Sequence, residues 1–341
     1  MFIRRPAPRL ARAGVLAPLA VAAPLAAASA QEDTLTVYTY GSFTADWGPG
    51  PAIEEAFEAR CGCDLEWVAV DDAVALLGRL KLEGESTDAD VVLGLDTNLI
   101  VDARQTGLFA PHGQDLSGLD LPIDWTDDTF VPFDWGYFAF VYDTEAMAEP
   151  PESLRALVED SEAEILIQDP RTSSPGLGLL LWMKQVFGDE AAAAWESLAP
   201  RIVTVSSGWS EAYGLFLEGE APMVLSYTTS PAYHRIAEGV ERYAAAPFAE
   251  GHYMQVEVGA KTAGTDAPEL ADRFLAFMTD PGFQSTIPTG NWMYPVIDLP
   301  DGLPEGFETV VEPGSALLYD PAVVAENRAA WVDEWLQAMS R

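Results

Sequence analysis

Short β-forming runs alternate with helix-forming stretches along this chain, and that alternation limits the available folds more than any other feature. Residues 35–40 (LTVYTY), 64–70 (DLEWVAV) and 88–94 (DADVVLG) are rich in β-branched and aromatic residues and read as strands. Between them lie AIEEAFEARC and AVALLGRLKLEG, whose apolar residues recur at helical spacing. Asp71 and Asp72 are placed to cap the second of these helices. Strand and helix in this rhythm imply an α/β fold with a mainly parallel sheet. Ligands of such sheets bind beyond the carboxyl ends of the strands, here Tyr40 to Phe43, Asp71 with Asp72, and Asp96 to Asn98.

Residues 131–143 form a long aromatic strand candidate, and Glu149-Pro150-Pro151-Glu152-Ser153 resets the chain. The alternation then resumes. Residues 165–170 lead to Arg171-Thr172-Ser173-Ser174-Pro175-Gly176 and a helix; residues 202–206 lead to Gly208-Trp209-Ser210-Glu211; residues 223–227 lead to Thr228-Thr229-Ser230-Pro231. No internal repeat appears. Two α/β lobes facing one another across a cleft is the economical reading, and 341 residues is ample for two domains.

The first thirty residues carry Arg4, Arg5, Arg9 and Arg12 and no acid, then a small-residue apolar stretch ending Ala28-Ser29-Ala30. Basic head, apolar middle and A-x-A ending read as a secretory signal peptide over 1–30. A retained membrane anchor is the weaker reading. The whole chain has a net charge of −36, and losing four of its 18 basic residues and no acid leaves a mature chain near −40. Nucleic acid is therefore excluded as a partner, since phosphate binding needs a basic face. Most of this acidity reads as a property of the solvated surface, with only a few acids needed to face a cationic ligand. Cys61-Gly62-Cys63 in an oxidising compartment permits a tight local disulfide; a redox role would want Cys-x-x-Cys at a helix start.

Three strand-to-helix corners carry the most chemistry. Ser173 and Ser174 stand at a helix N-terminus with Pro175 in its first turn, where unpaired N–H groups and the helix dipole suit a hydroxyl, carboxylate or phosphate. Ordinary capping is the competing explanation. Tyr227, Thr228, Thr229, Ser230 and Tyr233 cluster at another corner, and Trp209 with Ser210 at the third. Hydroxyls beside flat rings suit a small heteroaromatic ligand. Catalytic signatures are missing: His112, His234 and His252 stand in no metal-binding motif, and neither Gly-x-Ser-x-Gly nor a P-loop lysine occurs. Neither catalytic residues nor a metal or cofactor is expected.

LTVYTYGSFTADWGPGPAIEEAFE, ADVVLGLDTNL, DTFVPFDWGYFAFVYD, QDPRTSSPGLGLLLWM, GWSEAYGLFLEGE, LSYTTSPAYH and IPTGNWMYPV together resemble the periplasmic thiamine-binding proteins of bacterial ABC transporters, within the type II solute-binding proteins. The resemblance runs from Leu35 to the final helix around Trp335. It implies two lobes, 31–136 with 256–292 and 137–255 with 293–341, closing by a hinge over thiamine or its mono- or diphosphate. Asp72 matches the carboxylate that meets the aminopyrimidine, although Ala73 stands where relatives tend to have glycine. Ser173 and Ser174 match the hydroxyl pair for the hydroxyethyl or phosphate end. Trp209, Tyr227, Thr228, Thr229 and Ser230 match contact positions, and Tyr40, Tyr233 and Trp292 match aromatic walls. Gly41 stands where relatives often have aspartate. The implied partners are a membrane permease and its cytoplasmic ATPase, the implied location is the periplasm, and the receptor is expected to be a monomer. Rival readings are a same-fold receptor for a polyamine or ferric ion, or a secreted hydrolase; the chain has no Tyr-Tyr pair of the kind ferric sites use. On this reading Trp209→Ala and Asp72→Asn each weaken thiamine binding and leave thermal stability nearly unchanged, and wild-type affinity in both variants would refute the site.

Overall fold

The computed structural model describes residues 33–307 and 310–340, so the leader assigned to 1–30 lies outside the described residues. Eleven strands are found there: β1 (Thr34–Tyr40), β2 (Asp64–Val70), β3 (Val91–Asp96), β4 (Val131–Asp143), β5 (Ile165–Gln168), β6 (Ile202–Ser206), β7 (Met223–Tyr227), β8 (Tyr243–Ala245), β9 (His252–Lys261), β10 (Tyr294–Pro295) and β11 (Ala316–Leu317). The main path of the sheet is β2-β1-β3-β9-β4-β7-β5-β6, with β8 and β10 on β4 and β11 on β9.

The flanks are parallel: β1 pairs with β2 and β3, and β5 with β6 and β7. The centre is antiparallel, because β9 runs against β3 and β4, and β4 runs against β7. A mainly parallel sheet thus describes the flanks and not the middle. Helical crossovers join β1 to β2 and β2 to β3 and keep those strands parallel; β4 arrives instead through residues 106–130, which contain no helix. β4 also changes partner along its length, pairing with β9 over 131–137 and with β7 over 138–142.

Local chemistry sets the element ends. Helix Gly50–Cys61 has proline in its first turn and stops at Gly62, left-handed at φ 66°, whose N–H donates to the Glu58 carbonyl at 2.8 Å. Cys61 and Cys63 are joined by a disulfide across that glycine. The third strand starts at Val91 rather than Asp88, because the Asp90 carboxylate is turned to accept from the Thr36 N–H at 2.9 Å. It also runs on through Gly94 to Asp96, with a register shift between Leu93 and Leu95. Gly94 sits at φ 106°, and a Cβ there would lie 2.4 Å from the Tyr40 ring. Only glycine lets β3 pass so close behind that tyrosine.

Helix Ser174–Phe187 is buried on nearly every side, which explains a sequence apolar all round. It belongs to the largest apolar cluster, which reaches from Leu76, Leu77 and Leu80 of helix Ala73–Glu83 to Trp182, Trp195 and Trp335. A second cluster packs helices Gly50–Cys61 and Pro268–Met278 on the other face of β1, β3 and β4 through Phe43, Phe57, Phe133 and Phe274. Among the described residues no helix is long and apolar enough to cross a membrane. Gly178 marks where helix and sheet meet most tightly, since a Cβ there would lie 2.1 Å from the Phe138 ring of β4. Gly178→Ala should therefore cost about 1–3 kcal/mol through overpacking. Urea denaturation measures it, and an unchanged midpoint would disprove this contact.

Candidate functional site

A cavity of about 240 Å³ opens where the corners converge. Of the residues singled out from sequence, Tyr40, Asp72, Trp209, Tyr227, Ser230, Tyr233 and Trp292 line it, while Ser173, Ser174, Thr228 and Thr229 do not. All four absentees are buried in the wall behind. No lysine, arginine or histidine is among the lining residues.

Asp72 explains where the serines went. It follows β2 as the N-cap of helix Ala73–Glu83, and its Oδ1 accepts the Ala73 N–H at 2.7 Å. The same oxygen accepts the Ser174 N–H at 3.2 Å, and Oδ2 accepts the Ser173 hydroxyl at 2.7 Å and the Trp209 N–H at 3.2 Å. Ser174 and Trp209 are the first residues of helices Ser174–Phe187 and Trp209–Leu217. One carboxylate therefore satisfies donors at three helix starts. Burial raises the Asp72 carboxyl above its usual range, and these four hydrogen bonds work against that rise. The Ser174 hydroxyl meanwhile donates to Asp96 Oδ2 at 2.7 Å. The helix start expected to receive a ligand's tail thus already holds protein carboxylates.

Rings make the walls. Trp209 stacks on Tyr213 with centroids 4.9 Å apart, approaches Trp47 at 6.1 Å, and donates its Nε1–H to the Ser226 hydroxyl at 2.7 Å. The Ser226 hydroxyl in turn bonds that of Ser230. Tyr233 meets Trp292 edge-on at 5.3 Å. Trp292 is the one non-glycine residue with positive φ (56°) among the described residues, a conformation disfavoured for a bulky side chain. Thr228 and Thr229 build the turn after β7: the Thr228 N–H donates to the Tyr137 carbonyl and the Thr229 carbonyl accepts from Ala232.

The floor is acidic. Asp96 on β3, Glu257 on β9 and Asp134 on β4 are register partners in a row across three strands. Glu257 reaches the cavity, accepting the Tyr40 hydroxyl at 2.6 Å on Oε2 and the Gln255 side-chain N–H at 3.1 Å on Oε1. Asn291 donates to Asp134 Oδ2 at 2.6 Å and to the Tyr40 oxygen at 2.9 Å. Burial raises the phenol pKa of both Tyr40 and Tyr227 and keeps them neutral; the Tyr40 hydroxyl donates to Glu257, while the Tyr227 oxygen accepts from the Gln255 side-chain N–H at 3.1 Å. Glu257, Asn291, Trp47 and Tyr213 were not found from sequence. A lone acid inside an apolar strand, as in Val256-Glu257-Val258, was the available signal for the first. Among the described residues no group of three or more His, Cys, Asp or Glu side chains is arranged to hold a metal ion.

The family model described as bacterial extracellular solute-binding protein matches residues 44–285. The thiamine-binding periplasmic protein of Escherichia coli (strain K12) is 58% identical, with 90% of this chain and 94% of that one aligned. A solved periplasmic thiamin binding protein superposes with a TM-score of 0.90 at 58% identity, covering 92% of this chain and 98% of its own. A ferric binding protein from Campylobacter jejuni, 18% identical, shares the fold with a TM-score of 0.72 over 89% of this chain and 99% of its own.

Two tests follow from the buried acids. Asp72→Asn removes an acceptor from a site where three backbone N–H groups and a hydroxyl point, so it should cost about 1–3 kcal/mol of stability; the sequence-based expectation of near-neutral stability is corrected on this ground. Urea denaturation reads the loss, and a wild-type midpoint would contradict the hydrogen-bond geometry. Burial also takes Asp96 from 3.8 to about 6. Its contribution favours folding in full below about pH 4 and is lost as pH rises through about 6. The thermal midpoint of ligand-free protein should fall across that interval, and Asp96→Asn should shrink the fall; an unaltered pH profile in that variant would rule Asp96 out as its source.

Proposed function

This chain belongs to the bacterial extracellular solute-binding protein family, and we infer that within it the chain is a receptor for thiamine. The observation that carries this reading is a cavity walled by rings, with carboxylates and no basic group in its lining. Thiamine is a flat aminopyrimidine joined to a permanently cationic thiazolium. Aromatic faces each gain roughly 0.5–2 kcal/mol from an adjoining cation, and a carboxylate accepts from an exocyclic amine. Tyr40, Trp209, Tyr227, Tyr233 and Trp292 supply the faces. Asp72 supplies charge at the wall, while Ser173, Ser174, Thr228 and Thr229 hold the frame behind it. The hydroxyls of Ser42, Ser210 and Ser230 line the cavity, and we assign the hydroxyethyl or phosphate end to that polar edge, so thiamine mono- and diphosphate are ligands as well.

Capture works by hinge closure of lobe 31–136 with 256–292 onto lobe 137–255 with 293–341. The partner change of β4 between Tyr137 and Phe138 supports a crossing there. In this scheme the leader 1–30 directs export to the periplasm, and the monomeric receptor hands its cargo, chemically unchanged, to a permease driven by a cytoplasmic ATPase. Calorimetric titration with thiamine, its phosphates, spermidine and ferric citrate tests the assignment. One-to-one binding of the thiamine forms alone is expected, with thiamine recovered intact. Preference for spermidine or ferric citrate would sink it. Trp209→Ala should weaken thiamine roughly two- to thirtyfold, the cation–ring contribution expressed as affinity.

A further inference from the structure

Glu257 and Asp134 pose a problem of charge. They are cross-strand neighbours on β9 and β4 and almost fully buried. The titratable groups around Glu257 are Tyr40 from β1, Asp96 from β3, Asp134 from β4 and Asp72 from the start of helix Ala73–Glu83; Tyr227 from β7 shares the Gln255 amide with it. All are acids or phenols. Two ionised carboxylates in such a place, without a cation, would repel one another and lack solvation.

The hydrogen bonds show how the pair divides its roles. Both oxygens of Glu257 already accept, from Tyr40 and Gln255. Asp134 Oδ2 accepts from Asn291, whereas its buried Oδ1 has no partner. That bare oxygen is a seat for a proton. Burial takes the Asp134 carboxyl up to about 8, and burial together with repulsion from Asp134 holds Glu257 well above the usual range.

Resting on the thiamine reading above, we propose that the Glu257–Asp134 pair selects ligand charge by exchange: it holds one proton, seated on Asp134, when the cavity is empty and releases it to solvent when a ligand's fixed positive charge takes its place. The exchange keeps the buried site near constant charge. Proton and ligand cation compete for the same carboxylates, so thiamine affinity rises with pH while the empty pair is still protonated. Uncharged analogues gain nothing from this exchange.

Calorimetric titration of the full receptor with thiamine, in phosphate and in Tris at about pH 7, reads the proton directly from the dependence of heat on buffer ionisation. About one proton released per thiamine is expected, and affinity should improve up to tenfold per pH unit between about pH 6 and about pH 8. The uncharged isostere with thiophene in place of thiazolium should bind without release. Asp134→Asn, which removes the seat of the proton, should lose both the release and the pH dependence while keeping measurable binding, and Glu257→Gln, which removes the neighbouring negative charge, should reduce both. Wild-type binding with no proton released, release of the same size by the isostere, or release that persists undiminished in Asp134→Asn would each overturn the proposal. The wild-type buffer comparison decides even if a variant fails to fold, and absence of thiamine binding would instead remove the receptor assignment.

Discussion

The Asp72 carboxylate gathers the beginnings of three helices, and the arrangement of the site depends on it. Each helix start carries partial positive charge and unpaired N–H groups. Three brought together in a dry interior would be unfavourable alone, as would a lone buried carboxylate. Together they satisfy one another, through donors at Ala73, Ser173, Ser174 and Trp209. Residues more than a hundred positions apart in the chain are thereby fixed at one point. Trp209 and Pro175 reach the cavity because the helices that carry them start here.

The remaining buried acids follow a different logic. Asp72 is enclosed by four donors, but Glu257 and Asp134 are met only by amides and a phenol. Such groups solvate a charge without neutralising it. The floor thus concentrates buried carboxylates, with the phenols of Tyr40 and Tyr227 held neutral beside them. The two arrangements separate structural from recognition chemistry within a single cavity. Asp72 secures the walls, and the row across β3, β9 and β4 places three buried carboxylates at the floor.

The alternation of strands and helices was legible because propensity, spacing and turn residues agreed along both halves of the chain. What was illegible was direction at the centre: nothing in Val131 to Asp143 or His252 to Lys261 says that these strands run against their neighbours. The structure brings residues of all three corners to one cavity, with Ser173, Ser174, Thr228 and Thr229 buried outside its lining. Ser173 and Ser174 look like donors to a ligand because a sequence shows only that hydroxyls stand at a helix start. Their acceptors, Asp72 and Asp96, come from elsewhere in the chain. Glu257 was hidden by the abundance of acids, since among 54 of them only its position between Val256 and Val258 set it apart. Trp47 sits among Gly48, Pro49, Gly50 and Pro51, where nothing marks it as a wall, yet its ring lies 6.1 Å from that of Trp209.

Trp292 holds its ring against Tyr233 from a left-handed backbone. Glycine would adopt that geometry freely and remove the ring. Selection for sturdiness alone would therefore pull this position toward the one residue that leaves the cavity without this ring. The strained backbone at 292 is thus the standing cost of keeping an indole in that wall.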